Sequence, residues 1–157
     1  MSVTHRSRRT ARRLALDVLY EAEIRDDLPL EAWGARRSEG WIVPSDDETA
    51  DSSAPEKEPQ PAAIDYAHVL VEGVQEHAAD IDALIARYAD HWTIQRMPVI
   101  DRNVLRVALF ELLWRADVPV PVAINEAVEL AKALSTEESG RFVNGLLGRI
   151  AEQARDE

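Results

Sequence analysis

A chain of 157 residues is the size of one domain, and its 46% hydrophobic content is enough to build a core. Cysteine is absent, which excludes disulfides, thiolate metal sites and cysteine nucleophiles. The net charge of −11 argues on average against a nucleic-acid partner, but the charge is sorted along the chain. Arg6, Arg8, Arg9, Arg12 and Arg13 all precede the first acidic residue, Asp17, whereas residues 44–61 set Asp46, Asp47, Glu48, Asp51, Glu56 and Glu58 against Lys57 alone. Remote charge is screened over roughly 8–10 Å, so a local basic patch still attracts phosphates. The first arginines are not followed by an apolar run of signal-peptide length, and no stretch of about 18 uncharged apolar residues occurs. The expectation is a soluble, cytoplasmic protein with no membrane partner.

In chain order, Ala11, Leu14, Ala15, Val18, Leu19 and Ala22 recur at helical spacing and predict a helix from near Arg9 to about Arg25. A weaker helix is expected from Leu30 to about Glu39, entered through Pro29 and closed by Gly40 and Pro44. Residues 44–61 hold four prolines, three serines and six acidic residues, with too few apolar groups to offset the entropy of ordering. They predict a mobile acidic loop, and two lobes are expected at about 9–78 and 79–154.

Ile64, Ala67, Leu70, Val71 and Val74 make the next helical face, from near Ala62. Ile81, Leu84, Ile85 and Tyr88 make another, from about Ala79. Pro98 ends the segment from Thr93 to Met97, and Asp101 is placed to cap the helix after it. That helix is apolar on most sides, through Val104, Leu105, Val107, Ala108, Leu109, Phe110, Leu112, Leu113 and Trp114, and so is expected at the centre of the core. Pro119 and Pro121 open the next, with Ile124, Ala127, Val128, Ala131 and Leu134 inward. Ser135 and Glu138 have capping-box spacing before a last helix carrying Val143, Leu146, Leu147 and Ile150. No segment reads as a strand, so the fold class is all-α.

Catalytic patterns are missing. His5, His68, His77 and His91 form no ligand cluster, and no GxSxG, Walker or GxGxxG element is present. Glu126 with Glu129, or Asp80 with Asp82, are better read as helix-surface charges than as acid/base pairs; Glu129 precedes Lys132 by three residues. The arginines carry more information. Arg6, Arg9 and Arg13 lie three and four apart, and Arg8 and Arg12 four apart, so a helix gathers their guanidiniums on one stretch of surface. Guanidinium clamps phosphate with paired hydrogen bonds and stacks on unpaired bases. Five such contacts to single-stranded RNA correspond to a salt slope of roughly −3.5. The alternative is a merely solvated basic end.

Three ordered blocks then carry a resemblance: IDRNVLRVALFELLW from Ile100, VPVAINEAVELAKALS from Val120 and GRFVNGLLGRI from Gly140, joined by RRLALDVLYEAE from Arg12. Together they resemble the NusB transcription antitermination family, and look most like its actinobacterial members. The resemblance implies about seven helices in two packed bundles and no enzymatic activity or cofactor. It also implies binding of single-stranded boxA-type leader RNA, together with NusE, to support transcription of ribosomal RNA operons alongside other Nus factors and RNA polymerase. It assigns RNA contact to Arg6, Arg8, Arg9, Arg12 and Arg13, with Asn144 of the FVNG element as a further contact or a loop buttress. Partner contact is expected from the block Asp101 to Arg115, with Asp101, Arg102, Arg106, Glu111 and Arg115 as its polar members. Tyr20 and Glu23 belong to the first matching block without a settled role. Phe142 reads as packing and Asn125 as a structural hydrogen bonder. Glu138 falls where the family places a residue affecting RNA engagement. Monomer and homodimer both occur in the family. A protein-interaction scaffold, in which the arginines meet only an acidic partner, is the alternative function. An RNA methyltransferase related through a NusB-like domain is excluded, because no methyl-donor domain or cysteine is present.

Overall fold

A computed structural model describes residues 5–40, 59–90 and 92–155. Among them the chain forms seven α-helices and no strand: α1 His5–Arg25, α2 Pro29–Glu39, α3 Pro61–Glu76, α4 Ala78–Tyr88, α5 Val99–Trp114, α6 Val120–Leu134 and α7 Glu137–Arg155. A single 3₁₀ turn, Ile94–Arg96, precedes α5. The acidic stretch of residues 44–61 lies outside the described residues except for Pro59, Gln60 and Pro61.

The helices form two bundles. Helices α1, α2 and α3 pack on one another, while α4, α6 and α7 gather around α5, which also packs on α1 and α3. The apolar periodicity explains this placement. Val104, Leu105, Val107, Ala108, Leu109 and Phe110 are all buried on α5, so this helix has an apolar surface on several sides and satisfies it only between the bundles. One continuous core includes Leu14, Val18 and Leu19 of α1, Leu70 and Val71 of α3, Ile81 and Ile85 of α4, and Val143, Leu147 and Ile150 of α7.

Three local expectations need correction. Helix α1 begins at His5, about four residues before the predicted start, so Arg6 and Arg8 stand on the helix rather than ahead of it. No apolar residue marks this first turn, and Arg8, with Arg9 after it, reaches a carboxylate elsewhere in the fold instead. Asp101 does not cap α5. The helix opens at Val99 after an extended Pro98, and the Arg102 amide donates to the Pro98 carbonyl at 3.1 Å. Asp101 is therefore inside the first turn, 4% exposed, accepting a hydrogen bond from Ser139 Oγ at 2.7 Å. The cap of α7 is shifted by one residue from Ser135/Glu138: Thr136 Oγ1 accepts from the Ser139 amide at 3.0 Å, while Glu138 is exposed. Threonine wins because it stands immediately before Glu137, where α7 starts.

Gly73 fixes the approach of α3 to α5. A Cβ at this position would lie 2.2 Å from Phe110 Cε2. The Phe110 ring cannot withdraw freely, because His77 and Trp114 stack beside it; His77 and Trp114 are 3.9 Å apart between centroids. Gly73→Ala is expected to cost about 1–3 kcal/mol through overpacking, offset in part by about 1 kcal/mol of helix propensity. A lowered thermal midpoint in circular dichroism checks it; an unchanged one would show that the ring stack gives way.

Candidate nucleic-acid interface

The arginines of α1 divide by helical face. Arg12 points inward and is 2% exposed. Its Nε and one terminal nitrogen donate to the two oxygens of Glu111 on α5, at 2.8 and 2.9 Å. The Tyr66 hydroxyl on α3 donates to the same carboxylate at 2.5 Å. Burial opposes the Arg12 charge, but the hydrogen bond and charge of Glu111 outweigh it and hold the guanidinium pKa above its usual value. Burial and the adjacent Glu111 push the Tyr66 phenol up, so it remains a hydrogen-bond donor. Arg12 and Glu111 are thus corrected from surface contacts to an internal pair joining α1, α3 and α5.

Arg8, one turn earlier, reaches the edge of this assembly. Its guanidinium lies 4.9 Å from the Tyr66 ring centroid and donates to Asp117 at 2.6 Å. Arg115, just after α5, lies over the same ring at 5.4 Å and donates to Asp117 at 3.2 Å. Arg9 forms a two-point contact with Glu126 of α6 at 3.2 Å, which accounts for Glu126 without an acid/base role. Arg13 approaches Asp17 at 3.8 Å, and Arg6 is exposed. Asn144 and Asn125 are exposed on α7 and α6, while Phe142 packs against the core.

The residues expected to contact a partner form separate networks. Glu23 of α1 accepts hydrogen bonds from both Arg102 and Arg106. Arg106 also donates to Asp82 of α4 at 2.9 and 3.1 Å, and Arg102 to the Ile94 carbonyl at 3.2 Å. This network pins α4 and the 3₁₀ turn to the junction of α1 and α5. Asp101 is buried against Ser139 and is corrected from a surface contact to an internal one.

Burial raises the Glu23 pKa, but hydrogen bonds from Arg102 and Arg106 outweigh it and leave the carboxyl below its usual value. Because the folded pKa is depressed, the stabilisation is present above the unfolded value of about 4.3 and is lost as pH falls through the folded one. Glu23→Gln is expected to cost about 1–2 kcal/mol at pH 7 and progressively less in acid. Urea midpoints measured down the acid range check this; a constant difference between the proteins would contradict the linkage.

Tyr66 and Asp117 were not singled out in the sequence. Tyr66 shares its helix face with Ala63, Ala67, Leu70 and Val74, so periodicity marks it as buried but says nothing of its hydroxyl. Asp117 belongs to a short turn with no periodicity. Among the described residues no group of three or more potential metal ligands occurs, and no helix is long and apolar enough to cross a membrane.

Fold and site define an all-helical, two-bundle protein whose basic first helix is anchored by carboxylates and a tyrosine. The NusB family model matches residues 9–152. The transcription antitermination protein NusB of Salinispora arenicola is 45% identical over 148 residues, covering 94% of this chain and 97% of its own. That of Frankia casuarinae is 61% identical over 92 residues, 59% of this chain and 68% of its own. Among solved structures, T. maritima NusB superposes with a TM-score of 0.73 at 37% identity, covering 97% of this chain and 93% of that one. A structure of antitermination factors NusB and NusE in complex with dsRNA gives 0.74 at 27% identity, covering 96% and 99%. This chain belongs to the NusB family.

Proposed function

We propose that this protein is a non-enzymatic transcription antitermination factor of the cytoplasm that binds boxA-type single-stranded leader RNA together with NusE and so supports ribosomal RNA transcription. The observation that carries the reading is the basic first helix: Arg6, Arg8, Arg9 and Arg13 stand on its first turns, outside the core that claims Arg12. Phosphate contacts there set position and much of the affinity, and base selectivity comes from unstacked bases held against other surfaces, with exposed Asn144 as one contact. Arg102, Arg106 and Arg115 are the remaining polar members of the partner face. Other Nus factors and RNA polymerase join in the assembled complex.

A solved relative contains double-stranded RNA, so the test must separate strand form from sequence. Fluorescence anisotropy with labelled boxA-type RNA, a scrambled strand and a duplex, each with and without NusE, should give tightest binding to the boxA strand. Equal binding of all three in both mixtures would overturn the sequence-selective reading. One observation favours the alternative scaffold: Arg8, Arg9 and Arg13 already face carboxylates of this chain, which weakens their field. NusE binding without any RNA binding would establish that alternative.

A further inference from the structure

Two guanidiniums, Arg8 and Arg115, lie over one tyrosine ring and converge on one carboxylate, Asp117. The ring is fixed from behind, since its hydroxyl is tied to the buried Arg12–Glu111 pair. Two like charges so held require an anion between them. Asp117 supplies it, yet its side chain is 48% exposed, against 20% for Arg8 and 31% for Arg115. Each guanidinium donates to Asp117 through one terminal nitrogen. The Nε of each also lacks an acceptor among the described residues but is buried, so a competing anion meets the pair at its terminal nitrogens, as Asp117 does.

Resting on the RNA-binding reading above, we propose that Arg8 and Arg115 together hold one phosphodiester of the bound RNA, and that it displaces Asp117, which occupies the phosphate position in the unbound protein. Carboxylate and phosphate accept the same forked guanidinium donors, and the phosphodiester offers them a geometry of equal charge. Hydrogen bonding from Arg8 keeps Asp117 below the usual carboxylate range, so it is ionised at neutral pH and yields only to a competing anion. The proposal moves Arg115 from the NusE face to the RNA face. Asp117 becomes a residue that sets affinity by competition: an RNA strand must outbid a tethered carboxylate, which disfavours weakly placed phosphates.

The test titrates labelled boxA-type single-stranded RNA against the full chain and the variants Asp117→Ala, Asp117→Asn, Arg115→Gln and Arg115→Gln/Asp117→Ala over a range of KCl concentrations. Removing the competitor is expected to tighten binding about two- to fivefold, the scale of an exposed ion pair. Arg115→Gln is expected to weaken binding and flatten the salt slope by about 0.7, one phosphate contact. In the double variant the gain from removing Asp117 should shrink. If the unaltered protein binds RNA but both Asp117 variants bind no more tightly, the displacement is overturned and the RNA reading stands. If the unaltered protein binds no RNA in any salt, with NusE or without it, that reading falls and this inference with it.

Discussion

Replacing Glu111 with glutamine is expected to destabilise the fold by about 3–5 kcal/mol, a large part of the stability of a domain this size. The change keeps the side chain's length and leaves Tyr66 an acceptor, but removes the charge opposite a guanidinium that is 2% exposed. Arg12 cannot neutralise itself by losing its proton, because its pKa is far above any working pH. It must remain charged with weaker compensation or pull α1 away from α5. Urea unfolding followed by circular dichroism measures the cost. The explanation makes a second demand: the triple change Arg12→Met, Glu111→Leu, Tyr66→Phe, which removes every member of the buried network, should be more stable than Glu111→Gln alone. If the triple variant is no better, ordinary packing at position 111 rather than an orphaned charge causes the loss.

The second large effect is on binding. Alanine at both Arg8 and Arg9 is expected to reduce the salt slope for single-stranded RNA by up to about 1.4, which corresponds to roughly twenty-five-fold in affinity at 0.1 M salt relative to 1 M. Loss of fold should be small, since the contacts given up are ion pairs to Asp117 and Glu126 in which one partner is about half exposed. Parallel thermal melts separate the two outcomes. An unchanged slope with an unchanged melt would remove this pair from the interface. Arg12→Ala should behave in the opposite way, losing stability first, because this arginine faces the core although it lies in the same sequence cluster.

These contrasts show where sequence reasoning reached its limit. Periodicity located every α-helix but α2 among the described residues, because an apolar face that must be buried repeats every three to four residues whatever it is buried against; α2 was marked instead by Pro29 and Gly40. It placed α5 at the centre for the same reason. The starts of α1, α5 and α7 were misjudged by one to four residues, since a helix start is decided by backbone groups and caps rather than by the apolar repeat. Charge patterns fared less well. Arg8, Arg9, Arg12 and Arg13 look equivalent in a string, and Asp101, Arg102, Arg106 and Glu111 look like one polar face of α5.

By itself, the sequence determined the all-helical class, the core positions and the concentration of arginine at the first helix, all of which depend on local spacing and composition. Only the tertiary structure decided which of those arginines is a core strut, which one shares a tyrosine with Arg115, and which acidic residues answer Arg8, Arg9 and Arg12. Glu111 is 99 residues from Arg12, Glu126 is 117 from Arg9 and Asp117 is 109 from Arg8. Pairings at such separations depend on how the bundles dock, and docking is set by the apolar faces, which carry no record of the charges at their margins.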